Sequence, residues 1–154
     1  MAKIEQRLEE LGIILPQPAG ALANYVSIRQ VGDLLYVSGS GPLADGKPTY
    51  RGRVGAEVSV EEAYDAARLT AINIIASLKV FLGDLDKVEQ FVKLLGFVAS
   101  SDDFYQQPKV IDGASDLLIE VFGEAGKHAR SAVGTSVLPF NIPLEIEAIV
   151  QIKE

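Results

Sequence analysis

Apolar positions along the chain switch between a helical period and a strand period, and the switches mark the elements. Residues 2 to 11 repeat Ile4, Leu8 and Leu11 at helical spacing and stop at Gly12, predicting a short amphipathic helix. Pro16 and Pro18 then force an extended segment, with Gly20 and Ala21 leading into Asn24 and Tyr25. Val26 to Val31 alternates as a half-buried strand, Gly32-Asp33 turns, and Leu34 to Ser38 returns, so a hairpin is expected. Ala44 to Val58, broken by Gly46, Pro48, Gly52 and Gly55, reads as a long loop.

Ser59-Val60-Glu61-Glu62 is a capping box that opens a helix from about Val60 to Leu82. Its apolar stripe takes in residues 60, 63, 64, 67, 71, 74, 75, 78, 81 and 82, and Gly83 ends it. Val88 to Ala99 has the β-branched and aromatic content of a long strand. A second helix is expected from Pro108 to Phe122, and strands over 128 to 137 and 144 to 152. The order β-β-α-β-α-β-β predicts an α+β domain, two helices against one face of a mixed sheet. Several strands are apolar on both sides, and an apolar second face in a small domain predicts a homo-oligomer packed sheet to sheet.

Composition narrows the chemistry. A chain of 154 residues fits one domain over 1–154, with 1–20 as a helical and extended lead-in. No apolar run approaches membrane-spanning length, and the charged N-terminus lacks the pattern of a secretory signal, so a cytoplasmic location is expected. The absence of cysteine excludes disulfides, thiolate metal sites and a Cys nucleophile, and a single histidine excludes a His-rich metal centre. The net charge of −7 opposes binding to nucleic acid or anionic lipid.

Against that background, Arg130, Glu145 and Glu147 are charges set in strands that otherwise look buried. Arg130 lies among Ala129, Ser131, Ala132 and Gly134, which leave room over a guanidinium. It is either a clamp for a carboxylate or phosphate, or the partner of an acid of its own chain such as Glu145 or Glu147. By strand period Glu145 and Glu147 share one face, opposite Leu144, Ile146, Ala148 and Val150. In a simple hairpin around 139–143, Arg130 would face residue 151, leaving Glu145 on the order of 20 Å away. The last strand must therefore insert elsewhere, or a second subunit must complete the site. Ser38-Gly39-Ser40-Gly41 is either a plain strand exit or backbone that a ligand approaches closely. His128 shares the parity of Arg130 and either reaches a pocket rim or packs at the surface.

Tyr25-Val26, Ser38-Gly39, Ala129-Arg130-Ser131 and Leu144-Glu145-Ile146-Glu147-Ala148-Ile149 together resemble the Rid family, the YjgF-type reactive intermediate deaminases, over about Ala21 to Ile152. The resemblance implies a chorismate-mutase-like fold, a homotrimer, and a cleft between subunits. There, imines or enamines of 2-amino acids would be hydrolysed to 2-keto acids and ammonia without metal or organic cofactor. It places Arg130 on the substrate carboxylate with the amide of Ala132 beside it. Tyr25, Ser38 and the carbonyl of Gly39 line the reacting end, and Glu145 orients water and passes a proton to nitrogen. Two departures stand out: Ala132 where many members carry cysteine, and Ser40 where many carry an amide, which marks a divergent branch. The alternatives are a non-catalytic module that binds a small keto acid, and an endoribonuclease or translation inhibitor, which the acidic balance opposes.

Overall fold

A computed structural model of the chain describes residues 3–18 and 24–154. Among the described residues three α-helices, α1 (Lys3–Glu10), α2 (Val60–Leu82) and α3 (Gln107–Phe122), accompany seven strands. The strands are β1 (Ile28–Val31), β2 (Leu34–Ser40), β3 (Leu43–Ala44), β4 (Lys47–Pro48), β5 (Val88–Ala99), β6 (Ala129–Thr135) and β7 (Leu144–Ile152). The main sheet runs β1-β2-β7-β5-β6, and β3 pairs with β4 in a separate two-stranded sheet. All main-sheet pairs are antiparallel except β5 with β6. This order follows from the helices. A parallel pair needs a long crossover; α3 supplies it between β5 and β6, and α2 carries the chain from β2 to β5 on the far side of β7.

The expected hairpin of the last two strands does not form. β7 inserts between β2 and β5, while β6 takes the edge beside β5. The register makes the consequence explicit. Leu94 lies between Ala148 and Arg130, and Phe97 lies between Glu145 and Val133. Ala148 and Leu94 are core residues under the helices, so Arg130 shares the helix-covered face. Glu145, three residues away along β7, points to the other.

Local chemistry explains where the helices begin and cross. The Ser59 hydroxyl accepts from the Glu62 amide at 3.1 Å, and the Glu62 carboxylate accepts from the Ser59 amide at 3.0 Å. That closes the capping box and satisfies two orphan donors. The first amides of α1 are capped from outside the helix, Lys3 and Ile4 both donating to the Asp86 carboxylate at 2.9 Å. Gly113 on α3 lies where any side chain would strike the carbonyl of Tyr64 on α2, so the two helices cross with backbone nearly in contact. Phe91, Leu94, Ile74, Ile75, Leu117 and Leu118 fill the layer between helices and sheet.

Several boundaries differ from expectation. Ala2, Gly20 and Ala21 lie outside the described residues. β1 starts at Ile28, and Val26 and Val31 are exposed because the strand is at the sheet edge. Phe81 leaves the stripe of α2 for solvent, whereas Ala66 and Thr70 join the buried side. The stretch 44–58 is no open loop. Asp45-Gly46 turns the β3–β4 hairpin, and Val54 and Val58 are buried, with Val54 bridged to Ser100. The sheet face away from the helices carries Tyr36, Leu95, Phe97 and Ile149, with Tyr36 45% exposed. No helix among the described residues is long and apolar enough to cross a membrane.

Candidate functional site

The site begins with an irregularity in β2. Val37 pairs with Ala148 and Ser40 with Ile146, so β2 carries one residue more than β7 across this stretch. Such a bulge re-aims its strand. Here it brings Gly39 beneath Glu145 so closely that a Cβ at residue 39 would sit 2.6 Å from Glu145 Oε1. Only glycine leaves room for the carboxylate. The Ser38 hydroxyl donates to the Val26 carbonyl at 2.8 Å and its amide to Ser27 at 2.8 Å, which ties the bulge to the segment bearing Tyr25. On the other side, Asn73 of α2 donates to the Gly41 and Leu43 carbonyls, each at 3.0 Å.

Tyr25, Ser38, Gly39 and Glu145 all line one cleft of about 610 Å³ between the bulge, the N-terminal lead-in, α2 and the turn 139–142. Four of the residues singled out from sequence thus meet in one place. Burial in this cleft pushes the Glu145 carboxyl above its ordinary value, and the like charge of Glu147 adds to the rise. The Arg130 guanidinium of the same chain lies across the sheet and does not oppose this rise.

Arg130 is held by α3. Its Nη1 donates to Asp112 Oδ1 at 2.8 Å and to Ser115 Oγ at 3.2 Å. The acid of its own chain that pairs with it is therefore Asp112, neither Glu145 nor Glu147. His128 extends the network, Nδ1 lying 2.7 Å from the Gly126 carbonyl and Nε2 2.9 Å from Ser115 Oγ. A carbonyl only accepts, so Nδ1 carries the proton and Nε2 accepts from the serine. Burial lowers the His128 pKa, the Gly126 hydrogen bond opposes this, and the Arg130 charge adds to the lowering, leaving the ring neutral at pH 7. His128 is a structural support of the arginine. Ala132 is two residues further along the same edge strand, level with Gly96.

Several residues of interest escaped the sequence reading. Asp112 and Ser115 are an i,i+3 polar pair beside the buried stripe of α3, a pattern that points to a partner on the sheet below. Phe140 follows Pro139 and lies at the cleft in left-handed backbone, with φ 60°. A cluster of Glu5, Asp84 and Asp86 brings three carboxylates together. Glu5 Oε1 is taken by Lys79 at 2.8 Å and by the Leu85 amide, and Asp86 caps α1, so these acids serve the fold.

Comparison with known proteins follows the same outline. The family model described as "YjgF/chorismate mutase-like, putative endoribonuclease" matches residues 5–149. Protein TCP17 of Trypanosoma cruzi is 43% identical over 151 residues, which covers 97% of this chain and 94% of that protein. The solved structure of Atu1372 from Agrobacterium tumefaciens, described as of unknown function, superposes with a TM-score of 0.91 at 51% identity, over 97% of this chain and 92% of that one. A structure from Shewanella oneidensis described as a "putative endoribonuclease" gives a TM-score of 0.94 at 39% identity, over 97% and 99% of the two chains.

Proposed function

This chain belongs to the YjgF/chorismate-mutase-like family, and on that premise we propose that it is a cofactor-independent deaminase that hydrolyses 2-imino and 2-enamino acids. The observation that carries the reading is the half-buried Glu145 carboxyl of raised pKa, set against the Gly39 backbone in a cleft shared with Tyr25 and Ser38. An imine is already electrophilic, so fixing its geometry, orienting one water and shuttling that water's protons to nitrogen suffice.

In this reading Glu145 takes a proton from water as its oxygen bonds to the imine carbon. The carboxyl returns that proton to nitrogen to give a carbinolamine, then takes the proton of the new hydroxyl and passes it to nitrogen as the C–N bond breaks, so that ammonia and the 2-keto acid leave. The Gly39 carbonyl accepts from the substrate N–H, and Tyr25 closes the side. Arg130 clamps the substrate carboxylate, assisted by the Ala132 amide, with Nη1 anchored on Asp112 and Ser115.

Arg130 and Glu145 occupy opposite faces of the sheet, so one ligand meets both only if Arg130 comes from a second copy. This supports a site shared between neighbours in a homotrimer. The experiment generates 2-iminopropanoate with an amino-acid oxidase and follows release of pyruvate. Wild type should exceed the spontaneous rate, Arg130→Ala should abolish the excess, and Glu145→Gln should leave only a small, measurable remainder of it. Mixed oligomers of the two variants should recover about a quarter of the sites. A wild type that leaves the spontaneous rate unchanged sinks the deaminase reading. A pair of variants that never complement sinks the shared site. If keto acids bind with an Arg130-dependent rise in Tm while Glu145→Gln changes no rate, the chain is a binding module instead. RNA cleavage, suggested by the description of the Shewanella relative, finds no support in the net charge of −7.

A further inference from the structure

We infer that the cleft at Glu145 selects ligands whose side chain is apolar and branched or aromatic, with Phe140 as the specificity-determining residue. The inference rests on reading that cleft as the substrate site and deepens it by naming the substrate class.

Phe140 and Asn141 stand in left-handed backbone, at φ 60° and φ 57°. Asparagine tolerates this region, whereas phenylalanine visits it at a cost. The turn is pinned. Asn141 donates to the Leu138 carbonyl at 3.1 Å, Ile142 to Pro139 at 3.3 Å, and the Asn141 carbonyl accepts from Gly52 at 2.9 Å. None of these bonds uses the aromatic ring. Phe140 is 68% exposed and has no place in the core cluster, so packing among the described residues does not account for it.

Phe140 does line the cleft, five residues before Glu145, in the company of Pro16, Pro18, Leu43 and Ile142. One part of the cleft is thus polar, around Ser38, Ser40 and the Glu145 carboxylate, and another is apolar. Backbone strain kept beside a site, for the sake of a side chain the fold does not need, points to a ligand contact. An apolar wall discriminates by burying what touches it. A side chain as small as a methyl group leaves Phe140 wet, and a branched or aromatic one covers it.

Calorimetric titration of the native oligomer with pyruvate, 4-methyl-2-oxopentanoate and phenylpyruvate tests this without turnover. Wild type should bind the two larger keto acids at least about tenfold more tightly than pyruvate. Phe140→Asn should reduce that preference to less than about threefold while Tm stays level or rises, because asparagine accepts the left-handed backbone. Phe140→Leu should retain most of the preference. A wild type that binds all three alike, or none, overturns the inference, as does Phe140→Asn with its preference intact. Imine hydrolysis by the same proteins reports separately on the deaminase reading: a preference without rate acceleration sinks that reading alone, and acceleration without preference sinks only the selectivity.

Discussion

Replacing Gly39 by alanine isolates the contact on which the candidate site is built. The added Cβ would lie 2.6 Å from Glu145 Oε1, 2.8 Å from Cδ and 3.1 Å from Cγ. Ordinary contacts fall near ~3.5 Å, so the carboxyl must retreat by about 1 Å. Gly39 is not among the glycines with positive φ, so alanine fits the backbone, and the obstacle is the end of a flexible side chain. The fold should therefore lose little, about 1 kcal/mol at most, as Glu145 leaves its preferred rotamer. Catalysis should lose much more. A misplacement of about 1 Å in a reacting group costs on the order of 100-fold, equivalent to about 2.7 kcal/mol.

The assay is kcat/KM for keto-acid release from oxidase-generated imine, with Tm measured on the same preparations. Because the effect runs through Glu145, the Gly39→Ala/Glu145→Gln double variant should be no slower than Glu145→Gln alone. A Gly39→Ala rate within threefold of wild type would refute the assigned geometry. So would rate losses that simply multiply in the double variant.

Glu147→Gln removes the like charge that, after burial, raises the Glu145 pKa, so the acidic limb of the kcat/KM profile should move to lower pH. A carboxyl whose folded pKa is raised favours the folded state below its unfolded pKa and loses that advantage as pH rises through the folded value. Glu145→Gln should therefore raise Tm at neutral pH relative to wild type, and the gain should shrink on acidification. Arg130→Ala breaks a partly exposed pair with Asp112 and should cost about 1 kcal/mol or less in urea unfolding while eliminating the rate acceleration. Gly113→Ala is the structural counterpart to Gly39→Ala. Its Cβ meets the Tyr64 main chain, which cannot swing away, so a loss of about 3 kcal/mol in urea unfolding is expected.

Local signals carried most of the element boundaries. The capping box at Ser59, the glycine at 83 and the uniform β-content of 88–99 each act within a few residues, and the structure places α2 and β5 where those signals predict. The period-two pattern also assigned Glu145 and Glu147 correctly to the face opposite Leu144 and Ile146. What failed depended on distant partners. The glycines and prolines of 44–58 suggested a loop because the burial of Val54 against Ser100 is made by a segment some 46 residues away. Asp45-Gly46, a turn signal in its own right, was masked by the brevity of its flanking strands. Strand parity placed Arg130 and Glu145 but could not say which acid reaches the arginine, since that depends on how α3 lies over β6. The Gly39 bulge is a mismatch between two strands and has no existence in either sequence alone.

The position of β7 also governs the order in which the domain can be made. During synthesis β1 and β2 emerge together and can pair, and β5 and β6 can join across α3, but the two halves share no sheet contact until β7 arrives to bond with both. Until then each half exposes an open strand edge, so the nascent chain passes through a stage that is prone to mispairing. The strand that ends this stage is also the one that carries Glu145. A chain that has not finished folding therefore lacks its acid as well as its sheet, and the cleft cannot be assembled ahead of the fold.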